Sequence, residues 1–410
     1  MANRTGYKWM QMRGAASGFS LVEIMVGMVV GLITIIVIMQ SFAAFEGQKR
    51  TTSSGSDTQE NGLIALQAIE GDARTAGYGL LTPKGLACTS MNYYEEGVTA
   101  VPASAPVAPV AVVDGGAAGG SDTLVFTAAT SPIAGMPSKL NADMQTAQAD
   151  VYIDNSVGFN VDRDLYLVAA PILSPGVGAV ETPCSRMGYT ERCPADTALP
   201  EVACPGKAFL SASSPVAVYN SSDPNFFQAA TYPANSGFVI NLGSGLNGAA
   251  GFARAQYSVV NTDLVATDMS HMVARNSVVL SGNIVNMQVQ YGVAPINPQP
   301  GASSQAVNCW TDARGNACNS GSGNWAAPNA SDIMRIKAIR IAIVARSSLR
   351  ERPATPGAAC DATTVAPISW AGGPTIDLTP NDTATDQWQC HRYRVYQTII
   401  PLRNVIWANI

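Results

Sequence analysis

Few side chains in this sequence stand in the patterns that catalysis needs. There are two histidines, His271 and His391, so a His-based triad or metal site would need partners brought from far along the chain. No G-x-S-x-G elbow, H-E-x-x-H pair or phosphate-cradling G-x-x-x-x-G-K occurs. Gly243, Gly245 and Gly248 form a G-x-G-x-x-G after the strand-like run Phe238–Asn241, with Asp263 downstream. That imitates a dinucleotide fingerprint. The helix it requires would have to form in NGAAGFARA, which is short and weakened by glycine, so a glycine-rich hairpin or loop is the better reading. Asp377, Asp382 and Asp386 share a polar loop at spacings unlike an EF-hand, and a solvated loop is expected. The expectation is a non-enzyme with no cofactor and no bound metal.

The cysteines are the next reactive set: Cys88, Cys184, Cys193, Cys204, Cys309, Cys318, Cys360 and Cys390. No C-x-x-C occurs, so zinc ribbons and thioredoxin-like redox motifs lack support. An even count in an exported chain suggests disulfides. Cys309–Cys318 is a plausible staple across a polar loop, and Cys360–Cys390 would close a second loop just before the last strand. Two of Cys88, Cys184, Cys193 and Cys204 are expected to pair locally, with the choice left open.

The remaining chemical oddity is Glu23. It is the one charge in FSLVEIMVGMVVGLITIIVIM, Phe19 to Met39. As a helix this run spans about 31 Å, the thickness of a bilayer core. It follows a leader, residues 1–18, that carries Arg4, Lys8 and Arg13 and no acid; the basic side should stay cytoplasmic and the rest cross outward. The run is too long for a signal-peptide core and no A-x-A-like site follows it. A plain anchor fits length and flanks but does not explain an acid that costs a few kcal/mol in a spanning helix unless paired. Gly27 and Gly31 form a small-xxx-small pair, with Thr34 on the same face, which reads either as a close helix–helix seam or as the ordinary glycine content of membrane helices.

The composition fits one exported chain with one membrane segment. Of 410 residues, 47% are hydrophobic and 13% charged, and the net charge is −5. That excludes disorder driven by net charge and leaves no basic footprint for nucleic acid. A polytopic membrane protein is excluded because a single run reaches spanning length. After Met39 a helical pattern can continue through NGLIALQAIEGDARTAGYG. Leu63, Ile64, Leu66, Ile69 and Ala73 fall at helical spacings, and Gly77 and Gly79 read as a stop. TTSSGSDTQENG could interrupt the helix, with Asp57 capping a new turn. Beyond residue 80 short strands are expected at Thr123–Ala129, Leu165–Ala170, Val216–Tyr219, Phe238–Asn241 and Ala255–Val260. The strongest are Val278–Val293, Met334–Ser347 and His391–Leu402, and in the second of these one face is more apolar than the other.

The residues Gly18-Phe19-Ser20-Leu21-Val22-Glu23 resemble the processing site of type IV prepilins. The segments NMQVQYGV, IKAIRIAIVARSS and YRVYQTIIPLRN resemble the C-terminal strands of PilW-type minor pilins, as does NGLIALQAIEGDARTAGYG after the membrane run. The resemblance implies cleavage after Gly18 by a prepilin peptidase, N-methylation at Phe19, and Glu23 as the acid that assists assembly. The physics agrees: Glu23 lies about 6 Å along the helix from Phe19, and pairing with a neighbouring subunit's amine would remove much of the cost of burying either charge. One departure is the lack of any Pro between Phe19 and Pro83, where major pilins usually carry one.

The expected fold is α+β: a long N-terminal helix packed on a β-rich, antiparallel-sheet globular domain with long disulfide-stapled loops. The expected division is a leader at 1–18, a transmembrane and filament-core helix at 19–45, its amphipathic second half at 46–79, and a periplasmic or extracellular domain at 80–410. As the resemblance implies, the partners are other minor pilins, pilus or pseudopilus subunits, prepilin peptidase and a tip adhesin. The protein would sit first in the inner membrane and then at the pilus tip. The J-type pseudopilins of type II secretion share this N-terminal chemistry. A periplasmic enzyme or binding protein on a simple tether is the reading from another class.

Overall fold

The computed structural model describes residues 18, 20–82, 85–88, 90–92, 104–145, 150–160, 164–170, 184–188, 191–193, 208–211, 232–244, 252–270, 276–296, 306–351, 353, 355, 358–382 and 386–408. The chain forms two compact units, Met1–Gly55 and Ser56–Ile410. One helix, α1 (Leu21–Thr75), runs unbroken for 55 residues. The possible interruption at TTSSGSDTQENG does not occur, and Asp57 lies inside the helix rather than capping it. Ser, Thr and Gly are weak helix formers, but in the second unit the sheet supplies what propensity lacks. Thr58 Oγ1 donates to the Arg346 carbonyl at 3.2 Å. Ser281 Oγ donates to the Asn61 carbonyl at 2.9 Å, and Ser348 Oγ to Asp57 Oδ2 at 3.2 Å. Gly62 is required by close approach: a Cβ there would lie 2.3 Å from the Tyr396 ring.

The helix stops where glycine allows it. Gly77 and Gly79 adopt φ of +82° and +74°, a left-handed region that side chains with a Cβ avoid. Its last carbonyls, orphaned by the stop, are taken up by Asn404 Nδ2, which donates to Thr75 O at 3.1 Å and Ala76 O at 3.0 Å. Asn404 belongs to the short helix α3 (Arg403–Trp407), so the two ends of the second unit close on each other.

Two antiparallel sheets carry the seat of the helix. The first has five strands in the order β5-β4-β3-β2-β1: β1 (Val110–Val113), β2 (Thr123–Ala129), β3 (Phe252–Val260), β4 (Asp263–Asp268) and β5 (Ser277–Gly282). The second has the order β7-β6-β8-β9: β6 (Ile284–Val293), β7 (Cys309–Thr311), β8 (Ile336–Arg346) and β9 (Tyr393–Pro401). The expected strand Val278–Val293 is two strands, because Asn283 turns the chain at φ +57°. The expected Met334–Ser347 begins later, at Ile336, since residues 330–335 form a short helix, α2 (Ala330–Arg335). β8 is buried on both faces rather than one, because Ile339, Ile341 and Ile343 face the helix core while Val344 packs with Ile376 and Leu378 on the other side. A third, six-stranded sheet, containing Asp164–Ala169, Cys184–Gly188 and Phe238–Ser244, builds clusters of its own. Val216–Tyr219 lies outside the described residues.

The core between helix and sheets is a narrow seam. Ala65, Ile69, Ala73 and Ala76 are fully buried, whereas Leu63 and Ile64 are 51% and 42% exposed. The buried stripe therefore consists mostly of small residues at helical spacing, with Leu66 packed at its flank. It meets Met287, Val289 and Tyr291 of β6 and Ile339, Ile341 and Ile343 of β8. Ile69 is the one large side chain in the stripe, so Ile69→Ala should cost about 2–5 kcal/mol, read from urea unfolding. Leu63→Ala on the exposed face should change the midpoint little, and equal losses would show that the seam is misplaced.

Candidate functional site

The first candidate is the start of α1. Ser20 precedes the helix, and its carbonyl accepts from the N–H groups of Glu23 at 2.9 Å and Ile24 at 3.2 Å. Glu23 thus stands in the first turn, where a carboxylate complements the helix dipole. From Leu21 to Phe45 the large apolar side chains are exposed, Leu21 at 75% and Met39 at 69%. This is the one helix among the described residues long and apolar enough to cross a membrane, with a mean hydropathy of 2.8 in its most apolar window. Thr34 Oγ1 and Ser41 Oγ donate back to the carbonyls of Val30 at 2.7 Å and Val37 at 3.0 Å, leaving no hydroxyl bare in an apolar setting. A Cβ on Gly27 or Gly31 would meet nothing within 4 Å, so that stripe is open to a partner. Gly18 is exposed, whereas Phe19 and the basic leader lie outside the described residues.

The second candidate is the seat of the helix, to which β1 to β6, β8 and β9 contribute. Tyr257 Oη on β3 donates to Asp72 Oδ2 at 2.7 Å, and Tyr396 on β9 fills the notch at Gly62. Residues 252–404 match the family PilW, type IV pilus-assembly protein W. The match supports a type IV pilus-related protein, with pilus components as its partners. It runs from the first residue of β3 to Asn404, so it takes in β3 to β9 and the capping asparagine, while β1 and β2 of the seat lie before it. No curated protein and no solved structure matches the chain significantly.

The other residues singled out from sequence serve structure. His391 is buried, its two ring nitrogens 3.0 Å from Ser347 O and 2.8 Å from Asp386 Oδ1. The Ser347 hydroxyl points elsewhere, to Leu349 O, so no nucleophile–base pair forms. Asp377 accepts from Thr379, Asp382 from the Trp388 N–H, and Asp386 from His391. Asp377 and Asp382 are thus engaged within their own loop, and Asp386 also reaches Arg346 at the end of β8, 3.7 Å away. Gly243 lies inside a strand at a register shift, φ +107°, not at a strand-to-helix turn. Asp263 opens β4. Gly245, Gly248 and His271 lie outside the described residues.

Disulfides join Cys309 to Cys318 and Cys360 to Cys390. Among the described residues a third joins Cys88 to Cys184 across 96 positions, a long-range pair that the sequence does not single out. A parallel ladder between Ser90–Asn92 and Cys184–Gly188 brings these two together, and spacing along the chain carries no trace of it. Cys204 lies outside the described residues. The chain-entropy model makes the long closure worth about 4.7 kcal/mol and the Cys309–Cys318 ring about 2.7. Cys88→Ala/Cys184→Ala should therefore lower the thermal midpoint further than Cys309→Ala/Cys318→Ala. The reverse order would show that the loop around Cys309 stabilises through contacts rather than closure.

Sequence reasoning missed the outward side of the second sheet. Arg340 on β8 lies between two indoles, 5.1 Å from the Trp310 ring and 4.2 Å from Trp370, and donates to Gln290 Oε1 on the neighbouring strand. Burial holds its guanidinium below the ordinary arginine range. The one available signal was an arginine amid Ile and Ala in β8, whose partners are far away in sequence. Lys337, near the start of the same strand, looks on sequence like one polar position in an apolar run. It is 1% exposed, and its Nζ donates to the Val405 carbonyl of α3 at 3.2 Å.

Burial pushes the Lys337 amine down to about 8, from 10.5. Between those two values the unfolded chain binds more protons than the folded one, so this group makes stability rise with pH across that window. Lys337→Met should flatten the rise between pH 8 and 10 and leave the protein at least as stable at pH 7. Unfolding midpoints measured at several pH values check this, and an unchanged pH slope would refute it.

Proposed function

We propose that this protein is a minor pilin of a type IV pilus, a structural subunit rather than an enzyme. The observation that carries the reading is the unbroken α1. Its first half is exposed and apolar, with Glu23 as its lone acid among Leu21–Phe45. Its second half is seated on strands that match a pilus-assembly family. In this reading the basic leader is removed after Gly18 by a prepilin peptidase, and the new amine at Phe19 is methylated. The mature chain waits in the inner membrane with its β-rich unit in the periplasm, and then joins other minor pilins in a complex that primes assembly and sits at the pilus tip. Glu23 sets the register by pairing with a neighbour's amine, which lowers the cost of a carboxylate in an apolar environment. Gly27 and Gly31 let another helix approach. Attachment and twitching motility follow only through the assembled pilus.

Intact-mass and N-terminal peptide analysis of protein from its native host tests this, with and without the prepilin peptidase. The expected mature chain begins at methylated Phe19 and disappears in the peptidase mutant. Retention of residues 1–18, or a cut beyond the apolar run, would overturn the reading. Glu23→Ala should spare membrane insertion and cleavage but abolish recovery of the protein with sheared pili; normal recovery would remove the pairing role.

A further inference from the structure

The described residues form a cleft of about 420 Å³ on the outward side of the second sheet, lined by Gln290, Trp310, Asp312, Arg314 and Asn316 among others. This lies within the roughly 300–1,000 Å³ usual for small-molecule sites. Its wall is built rather than incidental. The loop that supplies Trp310 to Asn316 is closed by the Cys309–Cys318 disulfide. The six-membered ring of Trp310 abuts Gly292, where a Cβ would come within 2.9 Å of it, and Arg340 lies over one face of the indole, 5.1 Å from its centroid, which leaves the other face for a ligand. Arg314 Nε is held 3.2 Å from Asp114 Oδ2, and its Nη2 is 3.4 Å from Asp312 Oδ2. Asp312 Oδ1 accepts from Gln290 Nε2 at 2.7 Å.

The hydrogen-bonding capacity left over points to a ligand class. Among the described residues Arg314 Nη1 and Asn316 Nδ2 have no partner, and the Asp312 carboxylate has lone pairs to spare. Donors and acceptors therefore stand side by side next to an indole. The nearby charges balance: Asp114 and Asp312 against Arg314 and Arg340. An anion would meet two carboxylates and a cation two guanidiniums. A wholly apolar ligand would strand the exposed donors, which costs free energy. A neutral polyol with one apolar face satisfies all three conditions, laying its C–H face on Trp310 and its hydroxyls against Asp312, Arg314 and Asn316.

We infer that this cleft binds a neutral saccharide, one or two sugar rings in size, on the exported unit. The inference is independent of how the protein is assembled, and it adds a recognition surface to the unit.

The test uses the full chain in lauryldimethylamine oxide micelles, a detergent without a sugar headgroup. Saturation-transfer NMR is recorded with methyl β-D-glucopyranoside, methyl β-D-galactopyranoside and N-acetylglucosamine, with N-acetylneuraminic acid and inorganic phosphate as charged probes. The expected result is transfer to at least one neutral sugar, strongest at the ring protons of one face, and weaker transfer to both charged probes. Arg314→Gln and Trp310→Phe should each reduce it at least fivefold with the thermal midpoint held. If one variant unfolds, the other decides. Three outcomes would overturn the inference: no transfer to any neutral sugar, stronger transfer to a charged probe, or transfer unchanged in a folded variant.

Discussion

The second unit depends on how closely α1 approaches its sheets. Gly62, Ala65, Ala73 and Ala76 contribute almost no bulk, and only Ile69 enters the core with a large side chain. A helix that brings so little apolar volume gains most of its stabilisation from what it covers. Here that is Met287, Val289 and Tyr291 on β6 and the isoleucines of β8, all essentially buried. Larger side chains in the stripe would lift the helix from the sheet and open voids along the whole seam. The same closeness places the carbonyls of Asn61, Thr75 and Ala76 within reach of Ser281 and Asn404, so the polar stitches at both ends follow from the small residues between them.

The two sheets need a separate link, and the loop between β1 and β2 provides it. Asn286 and Gln288 of β6 donate side-chain amides to Gly119 O at 3.0 Å and Gly120 O at 2.6 Å. Asp122 closes the arrangement. Its backbone N–H donates to Met287 O, while its carboxylate accepts from the N–H groups of Gly115 and Val289, both at 2.7 Å. Burial pushes this carboxyl up to about 7 against the pull of those two donors. The residues alternating with the buried face of β6 are thus polar because they hold a loop, and not because they face water.

Much of this arrangement was legible from local pattern, and the exceptions share one cause. The strand at Thr123–Ala129 was placed at its observed bounds, and the glycine stop after Ala76 follows from backbone sterics alone. The α+β class came from the same local signals. Of the residues at helical spacing, Ile69 and Ala73 are buried and Leu66 flanks the core, whereas Leu63 and Ile64 face outward, and Ala65 and Ala76 carry little hydrophobic signal of their own. Which residues face the sheet is set by the room available, and that is a property of Tyr396 and Tyr257, nearly two hundred or more positions away. The Cys88–Cys184 link and the Trp310–Arg340–Trp370 stack were invisible for the same reason: each joins segments whose proximity is created only by strand pairing. Glu23 stood out because an acid inside an apolar run is anomalous without any knowledge of the fold.

This separation of local from distant constraints bears on the middle of the chain. Among the described residues the core cluster that receives α1 draws on 65–81, 110–126 and 255 onward, and on none from 127 to 254. Those residues pack into two other clusters, around Leu167 and Ile240 and around Tyr166 and Val168. Leu81 and Met334 pack against both the core that receives α1 and the cluster around Leu167 and Ile240, so substitutions beside them are felt on both sides, whereas the cluster around Tyr166 and Val168 shares no residue with the seat of the helix and acts nearly independently. The family match begins at residue 252, on the near side of this divide. The seat of the helix demands small residues, two tyrosines and a capping asparagine at fixed places. The cluster around Tyr166 and Val168 needs only to close its own core, and its surface can differ without disturbing how the helix is held.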